Sequence, residues 1–289
     1  QGIPLDADAA AVQTERIPVY GADNSTATAY AEDRYASHAG YDTLSDEQKQ
    51  LYNAMKQAAH TFYVGSADAE SVSYSTGTMD CCVAVDTGSQ SLNKEDVVRA
   101  ISMFRNDNPV YFFLGSSFLY STDYDFWTGK SYIDMVYLSC AENCTDGTER
   151  QAERKVLENQ IVTVETKVKA GETALEKARI AHDWLVDTIT YAYDANGDPD
   201  NSMTSHSITG VFDAQYHTAV CEGYAKSFQL LMNAAGVSNF YIVGLGNGGG
   251  HAWNMAQMDD GYYYYFDATW DDTAQTSKYF AAGETSLSQ

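Results

Sequence analysis

Three residues in the last third of the chain have the side-chain types of a nucleophile, a base and an orienting acid. In chain order they are Cys221, His251 and Asp267. A thiol is a strong nucleophile only as its thiolate, and a neighbouring imidazole can take its proton. A carboxylate on the far side of that imidazole fixes the tautomer and stabilises the charged ring. Such a set attacks a carbonyl carbon and passes through a thioester, which is acyl transfer. Alone, a cysteine is more often a buried structural residue and a histidine a satisfied core residue, so the case depends on their surroundings.

Cys221 stands in Ala219-Val220-Cys221-Glu222-Gly223-Tyr224-Ala225-Lys226, followed by Phe228, Leu230, Leu231, Met232 and Ala235, with Gly236 placed to close a helix. It therefore falls at a helix N-terminus, where the dipole favours a thiolate and free N–H groups can hold an oxyanion. Gly246-Asn247-Gly248-Gly249-Gly250 reads as a glycine loop between two strands, Phe240–Leu245 and His251–Met258. A third strand is expected over Tyr262–Trp270. A turn centred on residue 259, in Asp259-Asp260-Gly261, would set His251 and Asp267 close to opposite each other. Trp253, Trp270 and Tyr224 are candidates for the walls of a substrate channel. Gln215, six residues before Cys221, is a candidate second oxyanion donor.

These blocks, AVCEGYAKSFQLLMNAAG followed by GGGHAWNMAQMDDGYYYYFDATWDDT, resemble the bacterial transglutaminase-like superfamily. The resemblance spans roughly residues 172–280 and includes the helix with Ala181, Trp184 and Leu185 before Tyr191. It implies an α+β fold with a papain-like transglutaminase core, in which a Cys-bearing helix packs on an antiparallel sheet bearing His and Asp, preceded by an N-terminal α/β extension. It also implies a triad at Cys221, His251 and Asp267, no cofactor, an acyl-enzyme route and a peptide or protein substrate, a cell-wall peptide being one choice. Water as acceptor would make a cysteine peptidase or amidase. An amine would make a protein-glutamine transglutaminase. The rival from another class is a catalytically silent extracellular binding or adhesion module on the same fold. The family usually continues beyond Tyr279-Phe280 into further strand or an additional domain.

Upstream, residues 1–40 read as an extended or poorly ordered lead-in. Residues 41–170 read as an N-terminal α+β region, and 171–289 as the transglutaminase-like catalytic domain, with the break at Gly171. Ser45-Asp-Glu-Gln48 is a capping box opening a helix through Leu51, Met55, Ala58 and Phe62. A second helix is expected from Asn93, strands over Val110–Tyr120 and Ser131–Cys140, and helices over 148–169 and 173–189. Asp194-Ala-Asn196-Gly-Asp198 opens like a calcium loop, but Pro199 replaces the needed glycine and Ser205 the closing glutamate.

With 40 acidic against 17 basic residues the net charge is −23, which argues against nucleic acid or an anionic membrane as partner. No apolar run of about 18 residues suggests a membrane span. Gln1 in place of Met reads as a removed start, and the expected location is secreted or at the cell surface. Five cysteines fit two disulfides within Cys81, Cys82, Cys140 and Cys144, leaving Cys221 free. No metal site is expected from the CC and CxxxC spacings.

Overall fold

The computed structural model of the chain describes residues 30–74 and 77–283. The expected lead-in lies outside the described residues up to position 29. Its last part carries a 3-10 helix, Ala31–Tyr35, whose Tyr35 is buried.

Helix α1 (Asp46–Val64) opens on the expected box, with Ser45 accepting from the Gln48 N–H and Gln48 returning the bond. Two strands that the sequence reading did not anticipate follow, β1 (Glu70–Tyr74) and β2 (Gly77–Asp86). Then come α2 (Lys94–Asp107), capped by Asn93, and the hairpin β3 (Leu114–Asp125) and β4 (Lys130–Cys140). These strands form one antiparallel sheet in the order β1-β2-β4-β3. The first expected strand is shifted four residues because Val110–Phe113 is a buried aromatic turn, not an extended segment.

Adjacent Cys81 and Cys82 project from opposite faces of β2, as strand geometry demands. Cys81 faces the main core and is bonded to Cys140, with Cα atoms 5.3 Å apart. Cys82 belongs to a second small cluster with Val72, Ala84, Leu119 and Tyr137. Cys82 and Cys144 are buried free thiols, which corrects the expectation of two disulfides.

The rest of the chain wraps one helix. Helices α3 (Gly147–Lys169) and α4 (Ala174–Thr188) meet at a turn containing Gly171. Short elements β5 (Thr190–Tyr191), α5 (Thr209–Phe212) and β6 (Thr218–Ala219) lead to α6 (Cys221–Ala234). Nearly every residue of α6 after its first turn is buried, the mark of a helix packed on all sides. Its neighbours include α3, α4, the 3-10 helix at Ala31–Tyr35 and a sheet of β7 (Asn239–Gly246), β8 (Gly249–Gln257) and β9 (Tyr263–Phe266). Helix α7 (Ala268–Thr273) follows directly. A single hydrophobic cluster runs from Tyr35, Leu51 and Phe104 through Leu157 and Val164 to Phe228 and Phe266. It crosses the turn at Gly171. The mixed α+β class, with a helix-on-antiparallel-sheet core, is the one expected. No helix among the described residues is long and apolar enough to cross a membrane.

Candidate active site

Cys221 is the first residue of α6, partly exposed, with Val220 as N-cap. Its own N–H and that of Glu222 lie in the first turn, where an α-helix offers no internal acceptor. Two residues on, Gly223 lets the 205–207 loop approach: a Cβ there would stand 2.7 Å from the Ser205 carbonyl oxygen and 2.8 Å from Ala219 Cβ. The glycine of the VCEGYA block thus seats the start of the helix against its surroundings.

His251 is the third residue of β8, reached through a two-residue hairpin turn and not a glycine loop. Asn247 and Gly248, at φ 49° and 80°, make that turn, and Gly246 pairs with Gly249. Positive φ at both central residues suits an Asn-Gly pair. The register of β8 with β9 pairs Asn254 with Phe266 and Gln257 with Tyr263. The turn is therefore centred on residue 260, one later than expected. Strand β9 stops at Phe266, so Asp267 is not on a strand. It is the N-cap of α7, and its Oδ1 accepts from the Trp270 N–H at 3.0 Å.

The other oxygen, Oδ2, lies 2.6 Å from His251 Nε2. His251 and Asp267 are both buried. Cys221 is the second side chain that acts on the imidazole electrostatically, and with Nε2 engaged by Asp267 the ring's Nδ1 is the nitrogen left for it. Burial opposes a charge on this ring. The hydrogen bonds to Asp267 and Cys221, and the charges behind them, outweigh it and raise the His251 pKa from 6.5 to about 9. An imidazolium is thus favoured at neutral pH beside a thiol at a helix N-terminus.

Two indoles hold the ring. Trp270 stacks on His251 at 4.5 Å and 11°, and Trp253 at 5.7 Å and 22°. Glycines on β7 make room for both: a Cβ on Gly244 would meet Trp253 at 2.6 Å, and one on Gly246 would meet Trp270 at 2.8 Å. Trp253 and Trp270 also line an open pocket of about 100 Å³ with Leu245, His251, Tyr265, Asp267 and Tyr279. Cys221 is not on its wall.

Two sequence candidates are elsewhere. Tyr224 is 1% exposed and donates to Asp272 Oδ2 at 2.6 Å, so it is a core residue and not a channel wall. It points inward because its position on α6 faces the packed side. Gln215 is exposed, and its amide donates to Asp213 Oδ2 at 3.0 Å, an attachment that ties it to its own loop.

Sequence reasoning missed three groups in the electrostatic reach of Cys221 or of its neighbour Glu222. Tyr191, paired with Ala219 across β5 and β6, has its hydroxyl pushed up to about 12 by burial and by Cys221. Tyr241 on β7 is raised further by burial, Glu222 and Cys221. Arg105, at the end of α2, lies in the electrostatic reach of Glu222 and Tyr241. Only Tyr191 had a local signal, the strand-like Ile189-Thr190-Tyr191. No pattern in the sequence could pair Arg105 with residues more than a hundred positions away.

Among the described residues no group of three or more His, Cys, Asp or Glu side chains is arranged to hold a metal ion. Asp194 turns its carboxylate onto the N–H groups of Asn196 and Asp198 in its own loop.

Residues 162–268 match the family model of the transglutaminase-like superfamily, a stretch that holds Cys221, His251 and Asp267. That stretch is similar to the superfamily, in agreement with the resemblance read from its motifs. Among solved structures, a transglutaminase is similar at 17% identity, covering 52% of this chain and 43% of the other, with a TM-score of 0.36. The periplasmic domain of TgpA from Pseudomonas aeruginosa, bound to ethylmercury, is similar at 13% identity over 50% of this chain and 58% of that one, with a TM-score of 0.34. A protein from Cytophaga hutchinsonii, provisionally named a cysteine protease, is similar at 16% identity over 53% and 61%, with a TM-score of 0.31. The chain spans roughly half the length of each of these structures. No curated protein matches it.

Proposed function

We propose that the protein catalyses cysteine-dependent acyl transfer on peptide or protein amides, with Cys221 as nucleophile, His251 as base and acid, and Asp267 as the residue that orients it. The observation that carries this reading is the buried imidazole bonded to Asp267 at 2.6 Å, with Cys221 at the head of α6 acting on the same ring. The Cys221 thiolate attacks the amide carbonyl, and the first N–H groups of α6 receive the developing oxyanion. His251 gives its proton to the leaving amine, which departs and leaves a thioester. A water activated by the same ring then releases the acid and restores the thiol.

Hydrolysis is preferred over transfer to an amine because water is always present and no separate amine site is evident beside the pair. The Cys81–Cys140 bond supports a location outside the cytoplasm, in an oxidising compartment.

Incubating the protein with a glutamine-rich protein such as casein, with and without a biotinylated primary amine, tests the reaction. New chain termini or glutamine converted to glutamate mark hydrolysis, and incorporated biotin marks transfer. Mass spectrometry after acid quench is expected to find an acyl adduct on Cys221. Turnover in Cys221→Ala equal to that of the native protein would sink the reading.

A further inference from the structure

Alternate residues of β8 divide between the two faces of its sheet. Ala252, Asn254 and Ala256 are buried on one face, where Asn254 donates to the Ala225 carbonyl of α6 at 2.9 Å. Trp253 and Met255 stand on the other face, joined by Tyr265 opposite Met255, and all three are only half-buried. His251 belongs to the same row by alternation. Trp270, stacked on His251, meets Tyr279 edge to face at 5.1 Å. Leu245, at the end of β7, is 84% exposed. These side chains make the walls of the open pocket of about 100 Å³, and they share it with His251 and Asp267.

The charges on that wall cancel. The His251 imidazolium faces the Asp267 carboxylate, and both oxygens of Asp267 are engaged. No net charge is left to select a ligand, so apolar area and the faces and edges of two indoles and two phenols do. A closed apolar cavity of about 150 Å³ takes a benzene ring. An open pocket of about 100 Å³ therefore takes one ring with an edge towards solvent. Its place follows from the chemistry. The acyl half of a substrate is bonded to Cys221, which is not on this wall, whereas the leaving amine takes its proton from His251, which is. The pocket adjoins the leaving half.

We propose that this pocket is a subsite for an aromatic side chain on the residue that carries the departing amine. It rests on reading Cys221 as the nucleophile and deepens that reading by naming a substrate preference. The subsite holds a side chain and has no free carboxylate for an amine, in keeping with hydrolysis as the usual outcome.

An added amine retraces the acylation step, attacking the thioester from the place that the leaving amine vacated. A C–N bond forms, the C–S bond breaks, and the amine proton passes through His251 to the Cys221 thiolate. The acyl donor in the test is N-acetylglycine p-nitrophenyl ester, and the acceptors are phenylalaninamide, alaninamide and lysinamide. Cys221→Ala supplies the background. The ratio of new amide to N-acetylglycine measures capture. Capture of phenylalaninamide is expected to exceed that of alaninamide by roughly ten- to a hundredfold. That preference is expected to drop roughly three- to tenfold in Tyr265→Ala and to persist in Tyr265→Phe. It is also expected to weaken in Leu245→Ser, where an exposed position keeps folding out of question. Equal capture of phenylalaninamide and alaninamide overturns the subsite. So does a lead for lysinamide, whose extra positive charge a molecule at −23 attracts. A native preference unchanged in both Tyr265→Ala and Leu245→Ser places the aromatic ring elsewhere and overturns it too. No release of p-nitrophenol beyond the Cys221→Ala background would instead overturn the nucleophile, and the subsite with it.

Discussion

Asp267 performs two tasks with its two oxygens. Oδ1 caps α7 through the Trp270 N–H, and Oδ2 holds His251. Asparagine is as good a cap as aspartate, so Asp267→Asn separates the tasks. The helix is expected to persist, while turnover falls by roughly two to four orders of magnitude as the imidazolium loses its counter-charge. Loss of folding in that variant, or full activity, would contradict the division. The same group sets a pH dependence. His251 binds its proton more tightly in the folded chain, at about 9 against 6.5. Its contribution to stability is therefore complete below pH 6.5 and is lost as pH rises through about 9, at most about 3 kcal/mol. Denaturant titrations between pH 6 and 10 should show that decline in the native protein and a shallower one in Asp267→Asn. The residue types of this site were legible because Cys221, His251 and Asp267 each sit in a short, chemically distinctive block. Tyr241 and Arg105 were not, because their place near Cys221 and Glu222 respectively arises from packing between distant segments.

At the scale of elements, α7 must hold Asp267 in place although it has only six residues, too few to be stable alone. A second buried pair anchors it. His182 on α4 meets Asp271 Oδ2 at 3.0 Å, and Asp271 Oδ1 accepts from the Tyr279 N–H at 2.9 Å. Asp271 is fully buried, whereas Asp183, the other partner of His182, is half exposed. Removing one partner of a buried pair leaves the other uncompensated. His182→Ala is expected to lose about 3 kcal/mol of stability in urea unfolding, and Asp183→Ala less than about 1 kcal/mol. Equal small losses would show that α7 is held in another way. Helices were the most legible elements, since Ser45, Asn93 and Thr173 stand at their caps with apolar stripes behind them. The short piece after Phe266 was read as strand because Tyr263–Phe266 is strand-like and α7 lacks length for a period. Strands β1 and β2 were missed because Ser, Gly and Asp interrupt their alternation.

Across the whole molecule, the hydrophobic cluster does not respect the expected break at Gly171. Leu157, Ile161, Val164 and Val168 of α3 are buried in the same cluster as Leu185, Phe228 and Leu231. Tyr35, from near the start of the described chain, lends its carbonyl to Asn233 at 2.9 Å. Each large apolar side chain stripped of its cover forfeits about 1.5–3 kcal/mol, so losing several exceeds the whole stability of a typical domain. Residues 171–289 expressed alone are expected to lose near-ultraviolet circular dichroism and to bind a hydrophobic dye. A cooperative, native-like unfolding transition in that fragment would show that the two parts are independent.

The central claim is that Cys221 and His251 form an activated pair, and the pH dependence of Cys221 alkylation by iodoacetamide tests it most directly. A thiolate–imidazolium pair predicts fast alkylation persisting well below the ordinary thiol pKa of about 8.5, and its loss in His251→Ala. Slow alkylation that follows an ordinary thiol titration in both proteins would contradict the account.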